Sequence, residues 1–139
     1  MPGEDRQSAT ILLVDDQPFF LRYYADVFAH ARYQVVTASN GEEALEKAQG
    51  FRPDIIIIDL EMPNLDGIET CKRLKAEAMT REIPVVILTA SENPKLNERA
   101  FQAGAEATVA KSMDAERFLN IVEVVLKTGK PSDPTILKA

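Results

Sequence analysis

Short β-branched runs alternate along the chain with stretches of helical period. Thr10 to Val14 is an apolar run that stops abruptly at Asp15-Asp16. Phe20, Tyr24, Val27, Phe28 and Ala31 then recur on one face of a helix. Gln34 to Thr37 predicts a second strand, and Ser39-Asn40-Gly41-Glu42 has the spacing of a capping box. A second helix is therefore expected from there to about Gln49, with Ser39 as its cap. Pro53 precedes the run Asp54 to Ile58, whose consecutive isoleucines suit a strand buried on both faces of a parallel sheet. Pro63 and Asn64 mark a loop over Glu61 to Asp66. A third helix should follow to about Ala78, with Ile68, Cys71 and Leu74 inward. Pro84 opens a fourth strand, Val85 to Leu88. Asn93-Pro94 reads as a cap followed by proline at the first helical position, and Gly104 as the stop of that fourth helix after Ala103. Ala107 to Ala110 predicts a fifth strand. Phe118, Ile121, Val122, Val125 and Leu126 are the stripe of a last helix over about Asp114 to Lys127.

Strict alternation of strands and helices implies a parallel sheet with helices on both faces, and right-handed crossovers leave few topologies. The expected fold is α/β, a flavodoxin-like doubly wound sheet of five strands in the order 2-1-3-4-5 with five helices. Residues 9–127 form the domain in this reading. Residues 1–8 are a polar tail, and residues 128–139, with Gly129, Pro131 and Pro134, are a linker or C-terminal tail.

Charge narrows the function. The formal net charge of −6 over 139 residues disfavours both sequence-independent nucleic-acid binding, which needs a basic footprint, and docking on anionic membranes. Apolar runs such as Ile55 to Ile58 are far too short to cross a bilayer. One cysteine, Cys71, allows no intrachain disulfide, and with a polar start from Met1 to Thr10 it leads to the expectation of a cytoplasmic protein. A single histidine, His30, cannot build a metal site or a histidine-centred triad with anything nearby.

In an open parallel sheet, ligands bind at the carboxyl ends of the strands. The first strand delivers Asp15 and Asp16 there, the third Asp59, the fourth Thr89 and Ala90, and the fifth Lys111. Carboxylates gathered at one edge repel one another. A hard divalent cation relieves the repulsion, and Mg²⁺ takes one or two carboxylates while leaving positions for water and phosphate oxygens. The set lacks the histidine and cysteine ligands expected for zinc. A lysine charge and a threonine hydroxyl beside such a centre make a pocket for a phosphoryl group, whose transfer needs mainly positioning and charge neutralisation. The candidate nucleophile is Asp59, which would form an aspartyl phosphate.

Taken singly, these residues carry blander readings. Asp15-Asp16 alone is a turn or cap, Asp59 alone a strand end, Lys111 alone a surface charge and Thr89 alone a hydroxyl bonded to backbone. Their ordered occurrence at four strand ends is what points to a site. Elsewhere, Cys71 reads as a small core residue. Phe19, Phe20, Tyr23 and Tyr24 read as core and rim of the first helix. His30 reads as a surface residue at a helix C-terminus.

The motifs Ile11-Leu12-Leu13-Val14-Asp15-Asp16, Asp59-Leu60-Glu61-Met62-Pro63 with Asp66-Gly67, Leu88-Thr89-Ala90 and Ala110-Lys111 resemble those of the receiver domains of two-component response regulators, over about residues 9–127. The resemblance implies that Asp59 is the phosphoacceptor. It implies that Asp16 ligates Mg²⁺ directly, that Asp15 acts mainly through a bound water, and that the Glu61 backbone carbonyl completes the metal site. Thr89 would donate to a phosphoryl oxygen, Ala90 would leave its N–H open to it, and Lys111 would pair with the phosphate. The Glu61 and Ser91 side chains would sit where they tune hydrolysis. The implied partners are a histidine kinase or phosphotransfer protein and an output domain or protein not identified by the sequence. A homodimer through the last helices is an assembly the resemblance allows. Such a domain is not an enzyme with an external substrate, although it assists its own phosphorylation and dephosphorylation.

Two positions depart from that pattern. Ser112 follows Lys111 where the family carries proline after a cis bond. A cis bond before serine costs roughly 3 kcal/mol more than trans, so a trans peptide is expected. Thr108 stands where the family usually has an aromatic residue, so an aromatic rotamer relay cannot operate there. Alternative readings are a pseudo-receiver that signals without phosphate, a Mg²⁺-dependent aspartyl phosphohydrolase and a flavin module. The phosphohydrolase lacks a second aspartate two residues after Asp59, and the flavin module lacks a phosphate loop at Asp15-Asp16-Gln17-Pro18.

Overall fold

The structure, a computed structural model, describes residues 9–91 and 93–129. The expected tail over 1–8 and the segment 130–139 lie outside them. The strands are β1 (Thr10–Val14), β2 (Gln34–Ala38), β3 (Ile55–Asp59), β4 (Val85–Thr89) and β5 (Ala107–Ala110). The helices are α1 (Pro18–His30), α2 (Gly41–Phe51), α3 (Gly67–Ala76), α4 (Pro94–Gln102) and α5 (Ala115–Thr128). All strand pairs are parallel, in the order β2-β1-β3-β4-β5.

Strand pleat divides the apolar residues between two layers. Leu12, Val14, Ile56, Ile58, Val85 and Ile87 pack under α2, α3 and α4. Ile11, Leu13, Ile55, Ile57, Val86 and Leu88 pack under α1 and α5. The isoleucine run therefore shows no polar alternation because both of its faces are covered. Cys71 is buried on α3 with its thiol toward the Ala103 carbonyl at 3.5 Å, and burial pushes its pKa up to about 12.

The helix ends correct the sequence reading in detail. Ser39 does not cap α2. Asn40 does, its side chain accepting the Glu43 N–H at 2.8 Å. Glu43 reaches back to the Ser39 N–H and hydroxyl at 2.7 and 2.9 Å, so the box sits one residue later than its sequence spacing suggests. The reason is that β2 runs on to Ala38, paired with Val14, and α2 starts after it. The third helix ends at Ala76 because Glu77 is extended, and the second continues past Gln49 to a left-handed Arg52. On α1, Tyr24 is buried, but Phe19 and Tyr23 are 74% and 45% exposed and do not belong to the core.

The amino edge of the sheet is tied by side chains. Asp54 accepts the Thr10 N–H at 2.7 Å. Lys75 of α3 donates to the Arg81 and Ile83 carbonyls and to Glu106, which in turn accepts the Val85 N–H at 2.7 Å. This half-buried ion pair joins α3 to the segments that enter β4 and β5.

Candidate functional site at the carboxyl edge of the sheet

Register fixes which strand ends meet. Val14 pairs with both Ala38 and Ile58, Asp59 with Leu88, and Thr89 with Ala110. Asp15, Asp59, Thr89 and Lys111 thus emerge together. Asp15 and Asp59 are buried to 1% exposure, Thr89 is buried, and Asp16 is half-buried.

The two carboxylate oxygens of Asp15 have different partners. Oδ1 accepts the Gln17 N–H at 3.0 Å and shapes the turn into α1. Oδ2 faces Lys111 Nζ at 3.1 Å. The same Nζ lies 3.0 Å from Asp59 Oδ1. Both contacts are close ion pairs. Asp15 Oδ2, Asp59 Oδ1 and Asp16 Oδ1 are all buried without a hydrogen-bond donor. One oxygen from each of these three carboxylates fits within 4.8 Å of the others. Buried acceptor-only oxygens at that separation are the donor set a hard divalent cation takes.

The electrostatics are strained. Burial pushes Asp59 up to about 6; Lys111 opposes the rise, and Asp15 and Glu61 add to it. Burial also works against the Lys111 charge, but the Asp59 and Asp15 carboxylates outweigh it and hold the ammonium above its usual pKa.

Two side chains contribute in ways the sequence reading missed. Phe20 places its ring 4.2 Å from Lys111 Nζ, a cation–π support. Periodicity assigns Phe20 to a helix face and carries no trace of this contact. Glu61 turns its carboxylate onto the fourth strand end: the Thr89 hydroxyl points to Oε2 at 3.3 Å and the Ala90 N–H to Oε1 at 3.5 Å. Ser91 is drawn in as well, its N–H donating to Thr89 Oγ1 at 3.0 Å.

Gly67 holds the end of β3 in place by close approach. A Cβ there would stand 2.6 Å from the Asp59 carbonyl oxygen and 2.9 Å from Leu60 Cα, both backbone. Gly67→Ala is expected to cost about 1–3 kcal/mol and to shift the Asp59 backbone. Urea denaturation gives the first effect and Asp59 amide chemical shifts the second. An unshifted Asp59 amide would refute it.

Thr108, buried on β5, donates to Asn97 Oδ1 of α4 at 3.0 Å. No peptide bond is cis among the described residues, Lys111–Ser112 included. No helix among them is long and apolar enough to cross a membrane.

A parallel sheet in this order, covered by helices on both faces, is the flavodoxin-like doubly wound class of α/β protein. The chain belongs to the response regulator receiver domain family, whose pattern matches residues 11–123. It is 32% identical over 117 residues to the polar-differentiation response regulator DivK of Brucella anthropi, covering 84% of this chain and 95% of that protein. Chemotaxis protein CheY4 of Vibrio cholerae superposes with a TM-score of 0.81 at 31% identity, covering 85% of this chain and 98% of CheY4. The receiver domain of sensor histidine kinase PA1611 from Pseudomonas aeruginosa superposes with a TM-score of 0.81 at 26% identity, covering 87% and 99%. That domain has a magnesium ion coordinated in its active site cleft.

Proposed function

We propose that Asp59 accepts a phosphoryl group from a phosphohistidine on a kinase or phosphotransfer protein, and that the domain then assists hydrolysis of its own aspartyl phosphate. The observation that carries this reading is the buried Asp59 Oδ1, without a hydrogen-bond donor, 3.0 Å from Lys111 Nζ. Asp59 supplies the attacking oxygen; the bond from phosphorus to the donor's imidazole nitrogen breaks, and that nitrogen takes up a proton. Thr89 and the Ala90 N–H receive the phosphoryl oxygens, and Lys111 neutralises them while Phe20 supports its head. Asp15, Asp16, Asp59 and the Glu61 backbone carbonyl would hold Mg²⁺. When bound, the ion supplies charge neutralisation for the transferring group. Three carboxylates at one edge otherwise resist an incoming anion, which is why the reaction should depend on the metal.

Intact mass after incubation with Mg²⁺ and acetyl phosphate or phosphoramidate tests the reading. The expected result is a gain of one phosphoryl group, lost with EDTA and lost in Asp59→Asn. A wild-type protein that gains nothing from either donor, or from a kinase, would be a module that signals without phosphate.

A further inference from the structure

Glu61 has no part in the metal cluster through its side chain, yet that side chain is engaged. Its neighbours Leu60 and Met62 are buried at 7% exposure each. The Leu60 N–H is held by the Leu88 carbonyl at 2.7 Å, and the Leu60 carbonyl by Gly67 N–H at 3.0 Å. With the Met62 N–H also on the Leu60 carbonyl at 3.2 Å, the backbone beside Glu61 is tied down while its side chain is exposed. Its two carboxylate oxygens divide between two donors one residue apart, the Thr89 hydroxyl and the Ala90 N–H. A phosphoryl group on Asp59 would need those same two donors.

We propose that the Glu61 carboxylate is a displaceable internal anion that occupies the phosphoryl-oxygen donors of the unphosphorylated domain and must swing out before a phosphoryl group can take them. This rests on the phosphoacceptor reading and deepens it. The contacts, at 3.3 and 3.5 Å, are long, and Thr89 has a single proton that it also directs to the Ser91 carbonyl at 3.0 Å. Holding a long exposed side chain also costs rotamer freedom. The plug is therefore weak, and a phosphoryl group bound at the same time by Lys111 displaces it. A lone weak oxyanion has less to offer in exchange. Glu61 in this way sets a threshold that favours phosphoryl groups delivered to Asp59 over stray anions.

The test compares Glu61→Ala and Glu61→Asp with wild type in the full chain, with beryllofluoride and Mg²⁺ as the phosphoryl mimic. Aspartate keeps the charge but is one methylene too short to span both donors. The plug predicts that both variants bind beryllofluoride about three- to tenfold more tightly, the worth of a modest hydrogen-bonded contact. The gain should shrink when Thr89→Ala is added, because one donor of the plug is then gone. If Glu61→Asp behaves like wild type while only Glu61→Ala tightens, the effect is charge at a distance and the plug is overturned. A second readout needs no mimic: the Ala90 amide proton resonance of the metal-free protein should move in both variants, and an unmoved resonance overturns the contact directly. If no variant takes beryllofluoride, the phosphoacceptor reading fails, while the amide resonance still decides whether the plug exists.

Discussion

Lys111→Met is expected to destabilise the metal-free protein by about 2–3 kcal/mol, with most of the loss restored by Mg²⁺. The Lys111 side chain is only 12% exposed, and its ammonium faces Asp15 Oδ2 and Asp59 Oδ1. Its removal leaves two buried carboxylates against each other with no countercharge. Asp59 limits the damage by taking up a proton, since burial already places its pKa at about 6, and loss of Lys111 drives it higher. An acid whose pKa is raised on folding costs stability above the folded value. That cost fades as the pH falls through about 6 and is gone below the unfolded value near 3.8. In EDTA, wild type should therefore gain on Asp59→Asn as the solution is acidified from about pH 8 to about pH 5. The Lys111→Met protein should gain more and begin its gain at higher pH. Urea denaturation across that range, with EDTA or Mg²⁺, measures both effects. A loss that Mg²⁺ leaves unchanged would show that Lys111 matters for packing alone. On the phosphoacceptor reading, the same substitution lowers the rate of phosphorylation by about 10²–10³-fold, the effect of losing one preorganised charge-stabilising group.

The second large effect lies in the layer under the site. Phe118→Ala is expected to cost about 3–5 kcal/mol. The ring is 1% exposed and meets Tyr24 and Phe28 of α1 edge-on, with centroids 5.5 and 5.4 Å away. Such pairs add to simple burial, and this one joins α5 to α1, the helix that begins just after Asp16. Phe118→Leu, which refills much of the volume, should recover more than half of the loss. Denaturant midpoints at unchanged slope decide it, and a loss under about 1 kcal/mol for the alanine variant would mean that the site collapses to fill the void.

How much of this was legible in the sequence follows from what each signal encodes. Ile55 to Ile58 announces a strand covered on both faces, and a parallel sheet brings its carboxyl ends to one edge. Asp15, Asp16, Asp59, Thr89 and Lys111 could therefore be grouped before any coordinate was known. Contacts between side chains of different loops have no such period. The Glu61 carboxylate on Thr89 and Ala90, and Phe20 against Lys111, depend on loop paths that only the folded chain defines. The shift of the cap from Ser39 to Asn40 has another cause: the length of β2 is set by pairing with Val14, which local propensity does not know. Thr108 shows the limit from the other side. Its identity removes the aromatic relay, but that its hydroxyl would reach Asn97 of α4 was not written in the pattern.

The Lys75–Glu106 pair at the opposite edge has a mechanical consequence. The chain entering β4 and the chain entering β5 are bolted to α3 by one charged joint, so these strands cannot slide past each other there without leaving a half-buried charge alone. Any tilt of the two strands would then pivot at this joint. Displacement grows with distance from that joint and is greatest at the carboxyl edge, where the acidic cleft lies.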